Sequence, residues 1–65
     1  MDWNKIQQSW PIWKPTIGKA WEKLTKEDLS TLSGNREQLA DKISHRYKIS
    51  EEEAERQITS WLSSQ

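Results

Sequence analysis

Residues 21–61 read WEKLTKEDLSTLSGNREQLADKISHRYKISEEEAERQITSW, and this segment holds most of the signals that determine the fold. Three of its residues, Thr25, Asn35 and Ser50, have side chains that can accept hydrogen bonds from the unpaired N–H groups at the start of a helix. Gly34 stands where a helix end needs a residue with positive φ. These signals predict helices that begin at residues 26, 36 and 51, the middle one extending to residue 47.

The two later helices carry further residues typical of helix starts. Gln38 and Glu53 each occupy the third helical position, where a side chain can return a hydrogen bond to the capping residue. The pair Ser50 and Glu53 is expected to form the best such capping box in the chain. Leu39 and Ile43 lie four residues apart in the middle helix, which indicates one narrow buried face.

The first 24 residues have a helical apolar stripe that two prolines interrupt. Its members are Trp3, Ile6, Trp10, Trp13, Ile17, Trp21 and Leu24. At about 100° per residue, all of them fall within a wedge of about 80°. Pro11 and Pro15 point away from the stripe, but a proline inside a helix removes a hydrogen bond. We therefore predict a short helix near 2–9, a break at 10–14 and a second helix to about residue 23.

Size and composition restrict the class of protein. The chain has 65 residues, of which 32% are hydrophobic, no cysteine and a mean hydropathy of −1.06. We expect one domain, residues 1–65, with a thin core and no disulfide. No apolar run is long enough for a membrane span, and no signal peptide is recognisable, so a cytoplasmic location is expected.

Charge disfavours nucleic acid as a partner. Ten basic and ten acidic residues give a net charge of zero, whereas nucleic-acid binders gain affinity by neutralising phosphates. The charge is mildly uneven, because residues 1–24 hold four lysines against two acidic residues. This asymmetry is too small to identify a partner.

An ordered set of residues resembles the CsbD-like family of small bacterial stress proteins. In that family a segment like W-G-K-L-T-D-D-D-L precedes a glycine, a block like R-D-Q-L-x-G-K-I-Q-E-R-Y-G and an acidic helix that ends near a tryptophan. The matching residues, within about 10–61, are Trp21, Lys23, Leu24, Thr25, Asp28, Leu29, Gly34, Arg36, Gln38, Leu39, Lys42, Ile43, Arg46, Tyr47, Glu53, Ala54, Glu55 and Trp61. Three family glycines are replaced here, by Glu22, Asp41 and Lys48.

The resemblance implies an all-α bundle of four short helices (three to five), arranged as two crossed α-hairpins similar to the SAM-domain-like fold. It also implies a role in the general stress response of bacteria, and it does not imply a catalytic mechanism. The absence of strand-like alternation independently favours the all-α class.

Two residue groups could be taken for chemical sites. His45 lies one turn after Asp41, and Ser44 is adjacent, but Ser44 and His45 point about 100° apart on a helix, which disfavours a catalytic triad. A solvated contact between His45 and Asp41 is expected instead. The acidic run that starts at Glu51 follows a capping serine, so its interaction with the helix dipole explains it better than a cation site. No cofactor, metal or catalytic residue is predicted.

A candidate interaction surface remains: Trp3, Ile6, Trp10, Arg36, Lys42 and Arg46. The three apolar residues could complete the core or present an aromatic face to a partner, and core packing is favoured because so small a core needs large side chains. The basic residues could form a patch, but acidic residues are interspersed among them.

The function expected from these observations is that of a non-enzymatic stress-response protein, a monomer acting as a hydrated protectant of the cytoplasm. The alternatives are a helical module that binds an unidentified protein partner through the N-terminal aromatic face, and a weak nucleic-acid binder.

Overall fold

Five helices make up the protein, and the computed structural model describes residues 2–65. The helices are α1 (Trp3–Gln8), α2 (Trp10–Ala20), α3 (Lys26–Leu32), α4 (Arg36–Tyr47) and α5 (Glu51–Ser63). Residues 2–65 contain no strand, so the all-α prediction is confirmed. The number of helices lies at the upper end of the predicted three to five.

The last three helices begin where their capping residues predicted. Each capping side chain accepts a hydrogen bond from the N–H of the third helical residue. The complete capping box, however, is at α3, where Asp28 Oδ2 also accepts from the Thr25 N–H at 3.2 Å. The prediction that Ser50 and Glu53 form the best box is wrong, because Glu53 Oε2 instead accepts from Arg56 Nη1 at 2.9 Å.

The prolines interrupt the N-terminal region less than predicted. Only Ser9 separates α1 from α2, so the break predicted at 10–14 is wrong, and α2 ends at Ala20 rather than near residue 23. Pro11 lies in the first turn of α2, where a missing N–H costs no helical hydrogen bond. Pro15 lies inside α2 but on its exposed side, so the carbonyl that loses a partner there can be hydrated.

Two helix ends use left-handed backbone. Gly34 follows α3 with a φ of 83°, as its position predicted, and the preceding Ser33 has a φ of 50°. A Cβ at Gly34 would lie 3.1 Å from the Cα of Gln7, so the absence of a side chain also lets α1 approach this turn. Lys48 ends α4 with a φ of 56° and donates its N–H to the Ser44 carbonyl.

The buried side chains form one core cluster, in a molecule whose Cα atoms extend over 28 × 25 × 18 Å. All five helices contribute to it. Its buried residues are Trp3, Ile6, Trp10, Ile17, Trp21, Leu24, Leu29, Leu32, Leu39, Ala40, Ile43, Ala54 and Ile58.

Tryptophans join the N-terminal helices to the rest of the core. The indole N–H of Trp3 donates to the Gly34 carbonyl, and that of Trp10 donates to the Leu29 carbonyl in the last turn of α3, both at 2.9 Å. The two indole rings also contact each other, with centroids 6.3 Å apart. Residues 3–10 are therefore part of the core rather than an appended segment.

Candidate functional site

The apolar members of the candidate interaction surface lie inside the protein. Trp3, Ile6 and Trp10 are 8%, 0% and 6% exposed, so their side chains complete the core and do not form an aromatic face that a partner could reach. Arg36 lies over Trp3, with its guanidinium carbon 6.0 Å from the ring centroid. The structure thus brings Trp3 and Arg36 together, but as a packed pair.

Arg36 connects the start of α4 to α5. Its Nε donates to Glu55 Oε2 at 3.0 Å, and its Nη2 donates to Thr59 Oγ1 at 2.7 Å. The Arg36 side chain is 29% exposed, so part of it can be reached from solvent. Its charge already has a partner within the fold.

Lys42 and Arg46 surround the buried carboxylate of Asp28, whose side chain is 9% exposed. Arg46 donates from Nε to Oδ2 at 3.1 Å and from Nη2 to Oδ1 at 3.3 Å, and Lys42 Nζ lies 3.9 Å from Oδ1. The hydrogen bonds from Arg46 and then from the Thr25 N–H hold the pKa of Asp28 below its usual value, although burial acts in the opposite direction. These contacts fasten α4 to the first turn of α3.

The remaining sequence-predicted groups have structural contacts as well. His45 Nε2 lies 3.5 Å from Asp41 Oδ1, with the two side chains 74% and 51% exposed, which is the solvated contact expected from the sequence. Ser44 Oγ donates to the Asp41 backbone carbonyl rather than to His45. Within residues 2–65, no three or more His, Asp or Glu side chains are grouped closely enough to hold a metal ion.

Ion pairing differs between the two ends of the chain. In the part of the chain that the structure describes, every ion pair takes its basic partner from α4 or α5. Lys14 and Lys19 of α2 and Lys26 of α3 have no carboxylate of residues 2–65 within 4.0 Å. Lys14 Nζ instead contacts Ser30 Oγ at 3.1 Å.

These three lysines surround a surface depression of about 480 Å³ between α2 and α3, which we call the lysine groove. Its lining consists of Lys14, Pro15, Gly18, Lys19, Leu24, Lys26, Leu29 and Ser30, and most of its exposed surface is apolar. Gly18 lets the helices approach, since a Cβ there would lie 3.3 Å from Leu29 Cδ1. This groove was not predicted from the sequence; two of its lysines, Lys14 and Lys19, belong to the lysine excess of residues 1–24, and Lys26 lies outside it.

Curated bacterial proteins are similar to this chain over nearly its whole length. UPF0337 protein NE2439 of Nitrosomonas europaea is 38% identical over 61 residues, which cover 94% of this chain and 65% of that protein. UPF0337 protein YjbJ of Escherichia coli O6:H1 is 36% identical, covering 94% and 88%. UPF0337 protein ECA0631 of Pectobacterium atrosepticum is 43% identical, covering 89% and 87%.

This chain belongs to the UPF0337 family. UPF0337 is the CsbD-like family, so the resemblance drawn from the sequence is confirmed. No family model matches the chain, and no solved structure matches it. The names of these UPF0337 relatives state no activity, and the chain spans slightly less than two thirds of NE2439. None of the helices in residues 2–65 is both long and apolar enough to cross a membrane.

Proposed function

We propose that this UPF0337 protein is a non-enzymatic stress-response protein that acts as a monomeric, hydrated protectant of the bacterial cytoplasm. The observation that carries the proposal is the distribution of apolar side chains. Ile12, at 75%, is the single large hydrophobic side chain of residues 2–65 that is exposed. The surface is therefore polar and charged with both signs, and the net charge is zero. Such a surface holds water and lacks the large apolar patches through which folded proteins associate, whereas the zero net charge supplies no mutual repulsion.

A protectant of this kind is effective only at high concentration. Excluded volume favours the compact state of other proteins by only about 0.2–1 kcal/mol even under crowded conditions, so a dilute protein has little effect. The capped helices fit the same role, because a protectant has to stay folded itself. In this proposal activity depends on the concentration of folded protein and on no particular surface residue.

The interaction-module alternative has less support. Of its proposed surface, Arg36, Lys42 and Arg46 keep accessible side chains, at 29%, 38% and 47% exposure. Each already contacts an acidic residue, so a protein or phosphate partner would compete with Asp28 or Glu55. The same competition disfavours nucleic-acid binding.

Drying experiments on a labile enzyme test the proposal. We expect the enzyme's residual activity to rise with the mass of added UPF0337 protein and to be the same for Arg36→Gln, which keeps the fold. Trp21→Ala, which removes a 4% exposed core side chain, should lose the effect because it unfolds. In cells, survival of drying should follow the expressed amount for both the wild type and Arg36→Gln. The proposal fails if Arg36→Gln abolishes protection at equal abundance, or if an equal mass of an unrelated small protein protects as well.

A further inference from the structure

We propose that the lysine groove binds a small anionic amphiphile, a molecule with one anionic head group and an apolar tail. The observation that points to it is an apolar groove between α2 and α3 that is lined by three lysines with no acidic partner among residues 2–65. This inference goes beyond the proposed protectant role and does not depend on it.

The positive charge at the rim is available to a ligand. The basic side chains of α4 and α5 that form ion pairs use their charge within the fold, whereas Lys14, Lys19 and Lys26 have no carboxylate of residues 2–65 within ion-pair distance. Lys19 and Lys26 are exposed, and Lys14 is half-buried beside Ser30. Ammonium groups on flexible stems can converge on one anionic head from several directions.

The interior of the groove suits an apolar tail. Leu24 and Leu29 are 6% and 5% exposed at its floor, and Gly18 contributes no side chain that would fill it. The methylene groups of the lysines can add apolar wall while their ammonium groups stay in water. A volume of about 480 Å³ lies in the range of about 300–1,000 Å³ usual for small-molecule sites.

The combination of lysines and apolar lining favours an anionic amphiphile over other classes of ligand. A small inorganic anion would use the lysines and leave the floor exposed to water, and a cationic amphiphile would be repelled at the rim. A bilayer would require a cluster of protruding apolar side chains, whereas Ile12 is the one large hydrophobic side chain of residues 2–65 that is exposed, and Leu24 and Leu29 are buried. A single amphiphile that enters the groove uses both features.

Titration of the full chain with decanoate below its micelle concentration tests the proposal, with backbone amide chemical shifts as the readout. Decanoate should shift amides of residues 14–30 with saturation. Acetate, which has the head without the tail, and decyltrimethylammonium, which reverses the charge, should not produce this pattern. Saturable shifts of equal size with decyltrimethylammonium, or decanoate shifts centred on α4 and α5, would overturn the proposal.

Matched variants separate the lysine groove from general charge. Lys19→Gln/Lys26→Gln keeps the side-chain length and should weaken decanoate binding about fivefold, since each exposed ion pair changes affinity only a few-fold. Lys5→Gln/Lys48→Gln makes the same change in net charge outside the groove and should change affinity less than about twofold. Equal weakening by both pairs would assign the binding to net charge and refute the site.

Vesicles of equal parts phosphatidylcholine and phosphatidylglycerol distinguish a membrane from a monomeric ligand. Sedimentation with these vesicles, together with no saturable response to decanoate, would overturn the proposal in favour of a bilayer surface. The drying assay contains no amphiphile, so the groove and the protectant role can fail separately. Retained protection by Lys19→Gln/Lys26→Gln alongside weakened decanoate binding is the result expected if both hold.

Discussion

Asp28 offers a direct test of how the third and fourth helices are held together. Asp28→Asn preserves the shape of the side chain, and its amide oxygen can still accept from the Thr25 N–H, so the capping box is largely kept. The charge that accepts two hydrogen bonds from Arg46 and attracts Lys42 is lost. The substitution therefore measures the ionic contact rather than the cap.

The expected loss of stability depends on how deeply each partner of the ionic contact is buried. A hydrogen bond to a charged group contributes about 1.5–3 kcal/mol, and breaking a fully buried pair costs about 3–5 kcal/mol. Asp28 is buried, but the side chains of Arg46 and Lys42 are 47% and 38% exposed, so water screens their charges. We expect Asp28→Asn to lower the free energy of unfolding by about 2 kcal/mol at pH 7.

Urea unfolding followed by tryptophan fluorescence gives the measurement. Asp41→Asn is the matched control, because its carboxylate is 51% exposed, and we expect it to change stability by less than about 0.5 kcal/mol. Arg46→Gln and the double variant complete a cycle whose coupling energy should be about 1 kcal/mol. Additive effects at positions 28 and 46 would contradict the proposed contact.

The pH dependence supplies an independent check. Because the pKa of Asp28 is lowered in the folded protein, its carboxylate contributes stability that is fully present above its unfolded pKa of about 3.9. That contribution is lost as the pH falls through the lower folded pKa. The difference between the wild type and Asp28→Asn should therefore shrink below about pH 4. A difference that keeps its neutral-pH size in acid would refute the reasoning.

Three further predictions concern core and backbone, and chemical denaturation checks each. Trp3→Ala should lower the free energy of unfolding by about 3–5 kcal/mol, as Trp21→Ala should, because both indoles are buried and hydrogen-bonded. A loss below about 1 kcal/mol would place Trp3 outside the core. Gly34→Ala should cost about 1–3 kcal/mol because of its positive φ and the close α1 backbone. Gly18→Ala in α2 should be nearly neutral, because the gain in helix propensity offsets the tight 3.3 Å contact that its Cβ would make with Leu29 Cδ1. Lys48→Gly should raise the free energy of unfolding by about 0.5–1 kcal/mol, because glycine adopts the left-handed backbone conformation of this position without steric strain. Unchanged stability would contradict this.

Local signals predicted the C-terminal helices well. The start of α4 at Arg36 and of α5 at Glu51 depends on one capping side chain each, and such signals need no knowledge of the rest of the fold. The error in α2 has a different cause. The apolar stripe already placed Pro11 and Pro15 on the exposed side, but it did not show that α2 begins at Trp10, which puts Pro11 in the first turn where a proline costs no helical hydrogen bond.

Contacts between helices could not be predicted from these signals. Lys42 and Arg46 looked like members of a basic patch because their acidic partner, Asp28, lies on another helix and stood out in the sequence only as a residue shared with the CsbD-like family. The lysine groove has the same origin, since Lys19 and Lys26 meet only because α2 packs against α3. The composition shows that residues 1–24 have an excess of lysine, but it does not show that Lys14 and Lys19 lie beside α3.

The tryptophans, in contrast, are accounted for by the fold. An indole at Trp3 or Trp10 fills the core and also donates to a backbone carbonyl, at Gly34 or Leu29, next to a short helix end. A leucine would bury apolar surface but leave these carbonyls without that donor, which is costly away from water. Heavy tryptophan usage therefore needs no aromatic binding face to explain it. The lysines of the groove differ from the tryptophans, because none of them pairs with an acidic side chain in the described part of the chain, and a bound anion would supply the charge that the fold does not.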